Sequence, residues 1–172
     1  MERSGTRRKR GFDLAPEGRR SSDAGHLLTA SSTYRHLHQG PHTLDFAISR
    51  RAPGPLHRRI VRAEKGVLYE IGGVEDHVHL YLRWRPDGRV SDLMRTVKAS
   101  SSKWVHDTFP ELAVFAWQAG YSAFSVSKSQ EDALKRYIKG QAEHHKTEDF
   151  KSELLRSLRA HGVEFDEKYV FD

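Results

Sequence analysis

"GGVEDHVHLYLRW", residues 72–84, sets two histidines one residue apart in an apolar run that follows a glycine pair. Side chains alternate across a strand, so His77, His79, Tyr81 and Arg83 share one face, with Val78, Leu80, Leu82 and Trp84 on the other. The apolar set suits packing beneath helices, and the polar set faces a groove. Residues two apart on a strand lie about 7 Å from each other, so both imidazoles can tilt onto a single ion. Two histidines leave a metal site incomplete, since even structural zinc takes about four ligands. Taken alone, the pair favours a half-exposed strand carrying two ordinary histidines.

Working outward, "VLYEI" (residues 67–71) is a strand and the two glycines after it a break. "LHRRIVRAEKG" (residues 56–66) is a short helix with Leu56, Ile60 and Val61 on one side and Gly66 as its stop. Upstream, "HTLDFAIS" (residues 42–49) alternates Leu44, Phe46 and Ile48 against polar or small residues, the pattern of a first strand. Downstream of the turn "PDGR", Ser91 is the expected N-cap of an amphipathic helix reaching Thr108. Leu93, Met94, Val97, Ser101, Trp104 and Val105 form its inner face. "AVFAWQAGYSAFSVS" reads as a strand pair or one bent strand. A helix opened by Ser127 or Ser129 follows, then a last helix capped by Thr147. Phe150, Leu154, Leu155 and Leu158 make the core stripe of that helix, and Gly162 its end.

The order β-α-β-β-α-β-α-α predicts an α+β fold: a ferredoxin-like, RRM-like antiparallel sheet with helices packed on one face. Residues 1–31 read as a basic, disordered tail and residues 32–172 as a single domain.

The 172 residues carry no cysteine, which excludes disulfides, thiolate metal sites and cysteine nucleophiles. No run approaches the roughly 18 apolar residues of a membrane span, and no secretory hydrophobic region opens the chain, so a cytoplasmic protein is expected. A net charge of +6 and a pI near 9.6 point towards a polyanionic partner, nucleic acid first.

A second element changes the weight of the histidine pair. In "RYIKGQAEHH" (residues 136–145), Tyr137 and Gln141 stand one helical turn apart, about 6 Å, and His144 continues their face. A phenol beside an amide oxygen makes chemical sense if the amide completes a metal site and the phenol attacks near it. Tyrosine, with a free pKa of about 10, becomes a useful nucleophile when a divalent cation polarises a phosphate. Neutral imidazoles with an amide oxygen suit Mg²⁺ or Mn²⁺. Without the histidines, Tyr137 would read as a core aromatic beside Leu134 and Ile138.

This ordered set resembles the single-tyrosine HUH transposases of IS-two-hundred-like insertion sequences. "GGVEDHVHL", "VSDLMRTVKASSSKWV", "FAWQAGYSAFSVSKSQEDALKRYIKGQAEHHK" and "GVEFDEKY" all look like that family in order, over roughly residues 56–169. The resemblance implies a DNA transposase in which His77, His79 and Gln141 hold Mg²⁺ or Mn²⁺ and Tyr137 is the nucleophile. It further implies cleavage and rejoining of single-stranded DNA at hairpin ends through a 5′-phosphotyrosine. A homodimer is implied too, in which the tyrosine helix can complete the partner's site in trans. Local chemistry adds Arg95, Lys98, Lys103, Arg136 and Lys139 as candidate phosphate contacts, and Trp104 or Trp117 as a base-stacking surface.

"STYRHLH" (residues 32–38) looks like the family's opening into its first strand, whereas residues 39–55 depart from the pattern of a full first strand and a longer first helix. Two alternatives stand beside the transposase: an inactive or domesticated relative that binds hairpin DNA without cleavage, and a water-using metal phosphohydrolase with His77, His79 and His144 as ligands.

Overall fold

Val78, Leu80 and Leu82 are buried on one side of their strand, and His77, His79 and Tyr81 on the other. That strand belongs to a four-stranded sheet built from β1 (Gly25–Ser31), β2 (Val67–Val74), β3 (His77–Arg83) and β4 (Ser122–Val126). Its order is β2-β3-β1-β4, with every neighbouring pair antiparallel. The computed structural model describes residues 25–31, 53–74, 76–168 and 170.

The helices are α1 (Pro53–Ala63), α2 (Val90–Thr108), α3 (Glu131–Lys139), α4 (Gln141–His144) and α5 (Phe150–Ala160). The α+β antiparallel architecture is the expected one, and so is the order of elements, except that the helix expected after β4 is divided at Gly140 into α3 and α4. The first strand is not the expected one. Gly25–Ser31, read from sequence as the end of a tail, is β1, a central strand paired to β3 on one side and β4 on the other. Its register sets Thr29 opposite His79 and Leu27 opposite Tyr81. "HLLTA" is too short and too apolar for period-2 alternation to reveal, because a strand buried on both faces loses the polar half of the pattern. The strand expected at residues 42–49 lies outside the described residues, as do residues 32–38 and 1–24.

Helices lie on both faces of the sheet, rather than on one. On the first face, α1 and α2 close over Leu28, Ala30, Leu68, Val78, Leu80, Leu82 and Trp84. α2 packs there because Leu93, Met94, Val97, Ser101 and Val105 recur along one helical stripe, all buried. Burying each large apolar side chain contributes about 1.5–3 kcal/mol. On the opposite face, Leu134 and Ile138 of α3 pack with Leu27, Tyr81, Phe124 and Val126. The face expected to be an open groove is therefore covered, and the histidines lie beneath that cover.

Three helix boundaries differ from expectation for local reasons. Arg89, not Ser91, is the N-cap residue of α2, and its side chain makes no capping bond. Asp149, not Thr147, caps α5, its carboxylate accepting the Ser152 backbone N–H at 2.8 Å. Ser127 precedes only a short 3-10 turn, so α3 begins at Glu131 and ends at Lys139, before Gly140. Gly162, with φ 64°, ends α5 as expected.

Gly72 and Gly73 continue β2 instead of breaking it. Gly72 stands opposite His79, and a Cβ there would run into the Ile138 carbonyl oxygen and lie 2.9 Å from Ile138 Cγ2. The absent side chain lets the end of α3 approach the sheet closely. That approach carries Tyr137 and Gln141 to the histidines.

Candidate metal centre and nucleophile

β3 delivers both imidazoles to one buried point. His77 is 0% and His79 2% exposed, so neither is an ordinary half-exposed strand histidine. Their Nε2 atoms are 3.1 Å apart, and Gln141 Oε1 lies 3.2 Å from His77 Nε2. The three ligands expected from sequence therefore converge, although not along one helix: the chain breaks at Gly140 and Gln141 opens α4.

Each imidazole is tied at its far nitrogen. His77 Nδ1 is 2.8 Å from Asp76 Oδ1, and His79 Nδ1 is 2.8 Å from Thr29 Oγ1. Phe150 stacks on His77 with ring centroids 4.6 Å apart.

Sequence reasoning missed the group at the centre of this arrangement, Glu153. Its Oε1 is 2.9 Å from His79 Nε2, and its Oε2 is 2.8 Å from His145 Nε2 and 3.9 Å from His77 Nε2. The Tyr137 hydroxyl donates to Glu153 Oε1. His77, His79 and Glu153 all bring ligand atoms within 4.8 Å of one another, a grouping able to hold a metal ion. A signal existed: Glu153 sits one turn after Phe150 on the inner stripe of α5, where an unpartnered carboxylate is costly. Thr29 left no comparable signal, because its strand went unrecognised.

Electrostatics follow the geometry. Burial pushes the Glu153 carboxyl up, but hydrogen bonds from His145 and His79 outweigh it and hold the group well below the usual carboxylate range. Burial, and then the charge of Glu153, pushes the Tyr137 phenol well above its ordinary value. His77 is moved down by burial, against the opposing pull of Asp76. The group thus includes a carboxylate at Glu153, a neutral phenol at Tyr137 and a neutral imidazole at His77.

Donor chemistry tests the fit of a cation. With its Nδ1–H given to Asp76, His77 turns a lone pair from Nε2 towards the lone pairs of Gln141 Oε1. The Gln141 side chain is 1% exposed, and its Nε2 has no hydrogen-bond partner among the described residues. Two acceptors facing each other at 3.2 Å suit a divalent cation between them, since octahedral ligands at about 2.1 Å sit about 3 Å apart. The residues fit the group.

The profile of the family described as Transposase IS200 like matches residues 52–141, from α1 through Gln141. The chain belongs to that family. Two solved structures are similar to it in fold. One is a Deinococcus radiodurans R1 protein assigned as a transposase, 22% identical, with a TM-score of 0.50, covering 73% of this chain and 97% of that one. The other is a REP-associated tyrosine transposase bound to a REP hairpin, 13% identical, with a TM-score of 0.51, covering 76% of this chain and 74% of that one. Among curated proteins, no relative matches.

In this member of the IS200-like transposase family, the expected DNA contacts fall into two groups. Arg95, Lys98, Lys103 and Trp104 belong to α2, across the sheet from the histidines. Arg95 pairs with Asp92, and Lys103 with Asp107 at 2.8 Å. Lys98 Nζ donates to the carbonyls of Gln118, Ala119 and Gly120 at 2.8, 3.1 and 2.6 Å. Trp104 is half-buried against Phe109, lining a groove of about 380 Å³ with Arg59 and Lys103. Trp117 donates from Nε1 to Ser101 Oγ at 2.9 Å. Arg136 and Lys139 ride on α3, on the site's own face; Arg136 is exposed, and Lys139 lies 3.3 Å from Glu70.

His144 lies outside the grouping of His77, His79 and Glu153, its Nε2 3.9 Å from Glu153 Oε2. Its ring packs edge-on to Tyr137, and its Nε2 is 2.9 Å from Glu148. In that grouping Glu153 stands where the hydrolase alternative had His144. A cavity of about 10 Å³ adjoins His79, Tyr137 and Glu153, room for one water and not for a phosphodiester. No helix among the described residues is long and apolar enough to cross a membrane.

Proposed function

We propose that this transposase cleaves and rejoins single-stranded DNA, with Tyr137 as nucleophile beside a divalent cation held by His77, His79, Gln141 and Glu153. The observation that carries it is the meeting of both Nε2 atoms, Gln141 Oε1 and the Tyr137 hydroxyl around one carboxylate. Two nitrogens and two oxygens form a donor set that suits Mn²⁺ or Mg²⁺. When bound, the cation would polarise a phosphate oxygen and stabilise charge developing on phosphorus.

The chain's own residues do the rest. β3 and α3 set Tyr137 and His79 side by side, with ring centroids 5.7 Å apart within one chain. Attack of the phenolic oxygen on phosphorus forms a tyrosyl phosphodiester and breaks the bond to the 3′ oxygen, which leaves as a hydroxyl. Attack of a 3′-hydroxyl on that ester later restores a DNA phosphodiester and returns the phenol. Bond count is conserved, so rejoining needs no external energy. Entry of DNA requires the cover over Tyr137 to open, because the cavity beside it holds only a water. The hairpin in the similar REP-associated enzyme supports hairpin DNA as partner. The folded unit would include β1, and the protein would act as a homodimer.

The closed cavity also favours a second reading, a relative that binds hairpin DNA without cutting it. One experiment separates them. The protein is incubated with a single-stranded stem-loop and Mg²⁺ or Mn²⁺, then run on a denaturing gel. A DNA-linked band lost in Tyr137→Phe supports cleavage. Binding with no linked band under either metal sinks it and leaves the silent relative. Turnover that survives Tyr137→Phe would point to water as nucleophile.

A further inference from the structure

His77 and His79 differ in what holds their outer nitrogens. Asp76 is buried and offers an acceptor 2.8 Å from His77 Nδ1, so that nitrogen carries the proton and Nε2 a lone pair. His79 is held by a hydroxyl, Thr29 Oγ1, at 2.8 Å, and that group can donate or accept. His79 Nε2 is 2.9 Å from Glu153 Oε1, an ionised acceptor. For a singly protonated His79 without metal, these contacts put the proton on Nε2, donating to Glu153, with Thr29 donating to Nδ1. In that assignment the two imidazoles are opposite tautomers.

A cation needs both Nε2 lone pairs. His77 already presents one. His79 must carry its proton on Nδ1 instead, and only a partner that can turn from donor to acceptor allows this without leaving a buried polar atom unpaired. Thr29 is 5% exposed, and its backbone is fixed by pairing on both sides of β1, opposite His79 and Ser122.

We propose that Asp76 and Thr29 are the positioning residues of the metal centre: Asp76 presets His77, and Thr29 is a reversible partner that switches the tautomer of His79 as metal enters. This rests on the metal centre put forward above. Nothing in the 52–141 match covers Thr29. Its role comes from the cross-strand register and the 2.8 Å contact of its hydroxyl with His79 Nδ1.

The test has two readouts. Long-range ¹H–¹⁵N spectra of the EDTA-treated protein should show His77 protonated at Nδ1 and His79 at Nε2, with His79 moving to Nδ1–H on saturation with Mg²⁺. Calorimetric titration with Mn²⁺ should show Thr29→Val weakening binding about 10–100-fold, while Thr29→Ser, which restores the hydroxyl, stays within a few-fold of the parent. Asp76→Asn, which keeps an acceptor without the charge, should fall between. Thermal unfolding of the metal-free proteins checks the fold, and Val is well suited to a buried strand. Like tautomers at His77 and His79, or Thr29→Val binding Mn²⁺ as tightly as the parent, would overturn the positioning role and leave the metal centre standing. A parent protein that takes up no Mn²⁺ would overturn both.

Discussion

The phenol of Tyr137 donates to Glu153 Oε1, and that same oxygen lies 2.9 Å from His79 Nε2. One carboxylate of α5 thereby ties the candidate nucleophile on α3 to a candidate metal ligand on β3. A disturbance of any of these elements should be felt at the others, and the following outcomes test that.

Replacing Gln141 with Leu removes the oxygen 3.2 Å from His77 Nε2 while keeping a buried side chain of similar size. Mn²⁺ affinity should fall by more than the roughly 10–100-fold that losing an outer-shell partner costs. The metal-free protein should keep its stability or gain slightly, because an amide nitrogen without a partner has been removed. Calorimetry and urea unfolding measure the two effects.

Gly72→Ala should act at a distance. Its methyl group meets the Ile138 carbonyl and Cγ2, so α3 must shift away from β2. A loss of about 1–3 kcal/mol in urea unfolding is expected from the overpacking, together with weaker Mn²⁺ binding as Gln141 is displaced. Full affinity in a destabilised protein would mean that the approach of α3 does not set the site.

The capping residue of α5 is a separate test. Asp149→Ala should cost about 1 kcal/mol, whereas Thr147→Ala should cost much less, since among the described residues Thr147 Oγ1 bonds to the His144 carbonyl and to no N–H of α5. Chemical denaturation of the two variants side by side decides which residue starts the helix.

Lys98 is expected to behave as a clamp. Its ammonium is held below the ordinary lysine value by burial and donates to three carbonyls of residues 118–120. Lys98→Met should raise proteolysis near that segment and leave the salt dependence of DNA binding nearly unchanged. Arg136→Ala, losing an exposed cation on the site's face, should reduce the salt slope by about 1.

Tyr81 predicts the alkaline limit of stability. Burial first, then the charges of Glu131 and Tyr69, raise its phenol from 10.0 to about 12. The folded protein therefore holds this proton where the unfolded chain has lost it. The contribution is complete below pH 10 and is lost as pH rises towards 12. Urea midpoints of Tyr81→Phe should decline less than those of the parent across that window.

By itself, the sequence determined the local half of this protein. Period-2 alternation placed His77 and His79 on one face of a strand, and the spacing of Tyr137 and Gln141 placed a phenol near an amide, because both patterns are set by backbone geometry within a few residues. Periodicity also found α2 and the apolar stripe of α5. What only the tertiary structure decided is non-local. The strand beside His79 proved to be Gly25–Ser31, since a central strand is selected by partners on both edges, and a short apolar run carries no record of them. Glu153 and Thr29 reached the site for the same reason: α5 folds back over the histidines, and β1 slots between β3 and β4. Local residues supplied the candidate ligands, and packing brought them their carboxylate and their hydroxyl.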